Sequence, residues 1–414
     1  MRGSAAWGTL AARDFRLLWL GQSVSIFGDQ FYLVALPWLV LQLTGSSLVL
    51  GAVMLTATVP RVAFQLVGGA ASDRVSPRKL MLASSLFRAL VCAVLTALVL
   101  TGGTRLWHLY VVAAAFGTAD AFFSPAFKSF IPSVIEKERL VAGNALLNGT
   151  TMLTKLAGPS LAGVLIPVVG MGVAFGVDTA SFLFVAACLL LIGGGRGAAA
   201  AAAQPAAKGP GLFASIREGM RYTLGQPTLR GLIIIIAAVE FAFAGPFTVG
   251  LASLIDLKFA GGPAAYGTML TALGGGLLLG TLAAGALGAR LSIKGTVIPL
   301  TCAMAVGLAL MGLVPGVAWA CVLLALVGAA AGYLQILVAT WLQTFSAPHM
   351  LGRVMSVTLL CGYGLTPLSY LLTGALIKVG ISFMFVTTGV LLLVALASCA
   401  LGLKEPSAEP PQAA

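Results

Sequence analysis

Apolar residues run along this chain in long blocks, and charges fall mainly in the short gaps between them. Breaking the chain at charges, prolines and glycines predicts twelve helices. They lie near 16–44, 47–72, 80–102, 106–128, 141–168, 172–194, 229–256, 264–288, 295–314, 318–344, 354–377 and 381–403. A helix rises about 1.5 Å per residue, so an apolar run of about 18 residues or more is long enough to cross the hydrocarbon core of a bilayer. The uncharged stretch 295–352 is too long for one crossing, and "VPGVAW" at 314–319 supplies the turn that divides it. The first run has no small-residue cleavage site after it and reads as a permanent span. The pattern predicts an all-α integral membrane protein.

Composition agrees. Only 9% of the 414 residues are charged, against roughly a quarter in soluble proteins. A net charge of +12 would suit a nucleic-acid partner, but its placement excludes one. An even number of spans puts both termini on one side. The loops on that side hold eighteen of the basic residues, and the other side holds Arg105, Lys258 and Lys378. Positive-inside bias makes the rich side, with both termini, cytoplasmic. The six cysteines sit singly inside apolar runs and imply neither a disulfide framework nor a metal site. No phosphate-binding loop, hydrolase triad or histidine cluster is present, so neither an enzyme nor a cofactor is expected.

Between the sixth and seventh spans lies the low-complexity stretch "GGGRGAAAAAAQPAAKGPG" (193–211). In "LFASIREGMRYTLGQ", which follows it, Leu212, Phe213, Ile216, Met220 and Leu224 share one helical face, as in a helix lying on the membrane surface. The expected organisation is a six-helix bundle over 1–194, a cytoplasmic linker with an amphipathic helix over 195–228, a second bundle over 229–404 and a disordered tail over 405–414. The loop "GAASDRVSPRKL" (69–80) aligns without gaps to "GALGARLSIKGT" (285–296), and each joins the second and third spans of its half. Two related halves of six helices are a transporter architecture.

That first loop resembles the G-x-L-A-D-R-x-G-R-K signature of the major facilitator superfamily, and "TKLAGPSLAG" in the fifth span is similar to its exporter motif. "FRLLWLGQSVSIFGDQFYLVALPWLV", "VDTASFLF", "IREGMRYTLGQPTLR" and "GRVMSVTLLCGYGLTPLSYLLTGAL" resemble its drug-, macrolide- and siderophore-exporting branch, which includes the enterobactin exporter. The resemblance covers about residues 13–403. It implies twelve transmembrane helices in two pseudo-symmetric six-helix bundles. It also implies a cytoplasmic gate at Asp73, Arg74, Arg78 and Arg353, and an exporter motif at Gly158, Pro159 and Gly163.

Each span of the first half carries one ionisable residue: Asp29, Arg61, Arg88, Asp120, Lys155 and Asp178. Charges at that depth face a partner or water. An inverted repeat relates Asp29 to Asp120 and Arg61 to Lys155, and these four are the expected coupling or substrate residues. The third pair, Arg88 and Asp178, reads as structural, with Arg88 near enough to the cytoplasm to snorkel. In the second half Glu240 stands alone at depth, as a proton carrier would. Tyr32, Trp38, Tyr333, Gln335 and Trp341 are candidate cavity-lining groups. The glycines of the eighth span read as helix-packing residues.

The expected function is proton-coupled efflux of a small amphipathic molecule by alternating access, from a monomer in a bacterial cytoplasmic membrane. Its partners would be substrate, protons and membrane lipids, and the proton gradient would be its energy source. The alternatives are a lipid or lysolipid flippase of the same fold and a non-transporting membrane sensor or scaffold.

Overall fold

A computed structural model describes residues 9–193, 212–259, 261–287, 293–347 and 350–400. Twelve of its helices are long and apolar enough to cross a membrane. The first six are α1 (Arg13–Thr44), α2 (Ser47–Arg74), α3 (Pro77–Leu100), α4 (Leu106–Val134), α5 (Leu140–Val169) and α6 (Met171–Leu191). The amphipathic helix is α7 (Leu212–Gly225). The second six are α8 (Pro227–Phe259), α9 (Gly262–Leu287), α10 (Ile293–Met311), α11 (Val317–Phe345), α12 (Leu351–Ile377) and α13 (Ile381–Ala400).

Local chemistry sets several boundaries. Gly45, in the left-handed region at φ 59°, ends α1 by donating its N–H to the Leu41 carbonyl. Ser46 then begins α2 by accepting the Val49 N–H on its side chain. Pro77 opens α3 at a position where its missing N–H costs nothing.

The chain divides into two compact units, one of Met1–Ala207 with Ile255–Thr271 and one of Lys208–Leu254 with Ala272–Ala414. Within the first, α2 packs on α4 as α5 packs on α1, α3 packs on α4 as α6 packs on α1, and α3 meets α6. Two three-helix repeats of opposite topology produce this set of contacts. The second unit repeats it. α8 packs on α12 and α13, and α10 on α11 and α13, while Gly276 and Gly280 of α9 lie against α11 carbonyls.

One feature of α8 has no counterpart in the apolar pattern. The Oγ of Ser369, on α12, donates to the Phe241 carbonyl at 2.5 Å and accepts the Gly245 N–H at 2.8 Å. Those two groups are a ladder pair four residues apart, so the hydroxyl is spliced into the helix between them. Beyond it the helix widens into π turns at Pro246–Gly250 and Ile255–Phe259. A side chain inserted into the ladder, with a proline next to it, accounts for the irregularity.

The α2–α4 seam tests the close packing. A side chain at Gly117 would drive into the Ala57 backbone, whereas Gly149 faces open space. Gly117→Val is expected to lose about 1–3 kcal/mol or more, read as a lower unfolding midpoint and loss of monodisperse protein in detergent. Gly149→Ala is expected to hold or raise the midpoint.

Candidate functional site

The ionisable residues of the first unit do not form three separate pairs. Asp120 on α4 accepts Arg61 Nε from α2 at 2.9 Å and Arg88 Nη2 from α3 at 3.2 Å. Arg88 is only 7% exposed. Its guanidinium lies 4.8 Å from the ring centre of Phe123 and 5.6 Å from that of Phe182. It therefore does not snorkel, because a carboxylate and two aromatic faces hold it inward. Phe123 follows Asp120 by three residues, which puts both on one helical face. That spacing was the available signal for the shielded arginine.

Asp178 also departs from the expected pairing. It is fully buried and forms no ion pair among the described residues. Its carboxyl oxygens lie 3.7 Å from Cys92 Sγ and 3.4 Å from Ser181 Oγ. Gly28 packs against Ser181 and Asp178, which sets Asp29 on the next residue of α1. Neither Asp29 nor Lys155 forms an ion pair among the described residues.

In the second unit Glu240 is exposed on the wall of a cavity of about 550 Å³ formed by α8, α9, α11 and α12. Ile236, Val239, Phe243, Leu334 and Met355 supply apolar walls, and Gln335 and Thr358 are the other polar positions. A cavity of this size, mainly apolar with a few polar groups, has the dimensions and lining of a small-molecule site. Gln335 lies where the sequence places it. Tyr333 instead lines a separate apolar cavity of about 700 Å³ between α9, α10 and α11. Trp38 and Trp341 are buried packing residues, and Tyr32 is stacked on Phe116 at 4.4 Å.

The loop residues are occupied too. Arg78 donates to the Leu189 carbonyl at 2.7 Å and the Leu190 carbonyl at 3.0 Å. It thereby neutralises the negative end of α6. Arg74 is exposed, and the side chain of Asp73 lies outside the described set. Arg353 pairs with Glu218 of α7 at 2.6 Å, while Gly219 lies against the Arg353 backbone. Met220 and Leu224 remain exposed on α7. The side chains of Leu212, Phe213 and Ile216 lie outside the described set.

Gly158 and Gly163 of α5 are close-packing positions. Gly158 faces Gln30 of α1, and Gly163 and Gly267 leave room for the backbones of α5 and α9 to touch. Ser160 Oγ and Thr271 Oγ1 bond across that crossing at 2.8 Å. All of these residues belong to the first unit.

Residues 4–412 match the family model described as a transmembrane secretion effector, of the major facilitator superfamily. The chain belongs to that family. This major facilitator protein is 28% identical over 359 residues to the multidrug efflux pump Tap of Mycolicibacterium fortuitum, covering 84% of this chain and 85% of the relative. It is 22% identical over 386 residues to macrolide efflux protein A of Streptococcus pyogenes, covering 92% and 93%. Its fold is similar to that of the nucleoside transporter NupG, with a TM-score of 0.70 at 13% identity over 95% of this chain and 100% of the other. It is a multi-pass membrane transporter of the drug- and macrolide-exporter branch and not an enzyme.

Four substitutions test the geometry. Asp120→Asn strands a buried guanidinium and is expected to cost about 3–5 kcal/mol, seen as a lower unfolding midpoint. Asp29→Asn breaks no ion pair and is expected to move that midpoint far less. Ser369→Ala removes the inserted hydroxyl. It is expected to destabilise the protein by about 1–3 kcal/mol unless α8 straightens to re-form its own bond, and Ser369→Thr is expected to hold the wild-type midpoint.

Proposed function

We propose that the chain is a proton-coupled exporter of amphipathic small molecules. It works by alternating access in a bacterial cytoplasmic membrane, with both termini cytoplasmic, and draws on the proton gradient without a cofactor. The observation that carries this reading is Glu240, a carboxyl on the wall of a mainly apolar cavity large enough for a drug-sized molecule. The relatives, a multidrug efflux pump and a macrolide efflux protein, support the substrate class.

The physical logic is direct. Apolar walls take the body of an amphipathic molecule and lose nothing by doing so. Gln335 and Thr358 offer hydrogen bonds that orient it. A single carboxyl among them is a group whose charge the cavity's water content can change, and proton movement then follows substrate movement. A membrane potential supplies about 2.3 kcal/mol per elementary charge per 100 mV, which drives concentrative efflux. Asp29, Arg61, Asp120 and Lys155 supply the polar floor of the first unit. Asp73, Arg74, Arg78 and Arg353 serve the cytoplasmic gate, and Gly158, Pro159 and Gly163 hold α5 close to its neighbours.

Acid-loaded proteoliposomes test the reading. Addition of a substrate from a panel of lipophilic cation, macrolide, siderophore and lysolipid is expected to trigger proton release. Glu240→Gln keeps the shape of the side chain but carries no exchangeable acid, and is expected to abolish that release while substrate binding persists. Proton release retained by Glu240→Gln removes Glu240 from the mechanism. No release with any compound overturns proton exchange.

A further inference from the structure

Asp178 on α6 is fully buried, and the hydrogen bonds around it leave its carboxyl without a donor. Ser181 Oγ donates to the Asp178 main-chain carbonyl at 2.7 Å and stands 3.4 Å from Oδ1. A thiol has one hydrogen, and the shorter contact of Cys92 Sγ is with the Phe175 carbonyl at 3.3 Å, while Asp178 Oδ2 is 3.7 Å away. Both neighbours therefore turn lone pairs, not hydrogens, toward the carboxyl. Gly28 of α1, which packs on the same carboxyl, has no side chain to donate from. The charged and titratable groups of the packed helices do not fill the need. Arg88 of α3 binds Asp120 through Nη2, and its Nε is buried with no partner among the described residues. Tyr32 of α1 likewise keeps its hydroxyl buried without a partner there. Asp29 of α1 and Lys155 of α5 form no ion pair among the described residues.

We propose that Asp178 is a proton-binding site that holds its proton in the folded state, a neutral acid whose hydrogen points to the lone pairs of Cys92 and Ser181. A carboxylate there faces two lone pairs in a site closed to water, which is the costly arrangement for a buried charge. Protonation replaces that conflict with a donor, and each neighbour gains a partner without giving up the one it has. The Cys92 thiol then ties α3 to α6 twice, accepting from Asp178 and donating to the Phe175 carbonyl. This proton differs in kind from one on Glu240. Glu240 stands exposed on a cavity wall, whereas no part of Asp178 is exposed. The proton on Asp178 is therefore resident and stays in place through the transport cycle. That last step rests on the export reading above, and occupancy of the site does not.

Infrared spectroscopy of the full-length protein tests occupancy directly. The protein carries isotope-labelled aspartate and is held in a maltoside detergent, which has no ester carbonyl to overlap the band. At about pH 8, far above the ordinary aspartate range, the wild type is expected to show the carbonyl stretch of an undissociated aspartic acid. That band is expected to be lost in Asp178→Asn and kept in Glu240→Gln. No such band in the wild type, or an unchanged band in Asp178→Asn, overturns the proposal. Should Asp178→Asn fail to fold, Cys92→Ala combined with Ser181→Ala removes both acceptors and is expected to move the band to higher frequency. A band that does not move in that chain belongs to another aspartate and overturns the assignment. In acid-loaded proteoliposomes, Asp178→Asn is expected to keep the substrate-triggered proton release that Glu240→Gln abolishes. Loss of that release in folded Asp178→Asn protein overturns the resident role. A wild type that releases no protons overturns the export reading, while the infrared band still decides whether Asp178 is protonated.

Discussion

Asp120 shared between two guanidiniums is the interaction on which the first unit depends. Hydrocarbon offers no water to a charge, so each charge carried into the span must be answered inside the bundle. One carboxylate answers Arg61 and Arg88 together and so fixes α2, α3 and α4 relative to one another. Phe123 and Phe182 close over the more buried guanidinium. With two bases committed to one acid, the remaining acids, Asp29 and Asp178, are released from the roles that simple pairing assigns them. Asp178 turns to a thiol and a hydroxyl, and Asp29 forms no ion pair among the described residues.

The second unit meets the same solvent constraint through its backbone. It carries a single acid at depth on α8, and its polar bookkeeping is done by hydroxyls and carbonyls. Ser369 is spliced between the Phe241 carbonyl and the Gly245 amide, one turn beyond Glu240. A broken helix ladder in lipid is tolerated only where another group re-satisfies it, and Ser369 does so. The result is a helix that is regular up to Glu240 and irregular just after it, beside a cavity with few polar positions.

At the charged ends of the helices, polar contacts tie loops to helix termini. Arg78 caps the carbonyl end of α6, and Arg353 binds Glu218 on α7. Gly163 and Gly267 work by a different principle within the first unit, where absent side chains let the backbones around them approach until Ser160 and Thr271 bond across the crossing.

The sequence by itself determined the number of spans, the all-α class and the identity of the deep charges. Apolar run length and the scarcity of charge answer to the bilayer, which acts on each segment locally and needs no knowledge of the rest of the chain. The helical phase of Glu240 and of Gln335 follows from position along one helix, and both line the same cavity. The tertiary structure alone decided which charges meet. Arg88 chose Asp120 over Asp178, Tyr333 turned to a different cavity from Gln335, and a serine far along the chain entered the ladder of α8. Those outcomes depend on distances of a few ångströms between helices that are remote in sequence. Periodicity along any single helix carries no information about them.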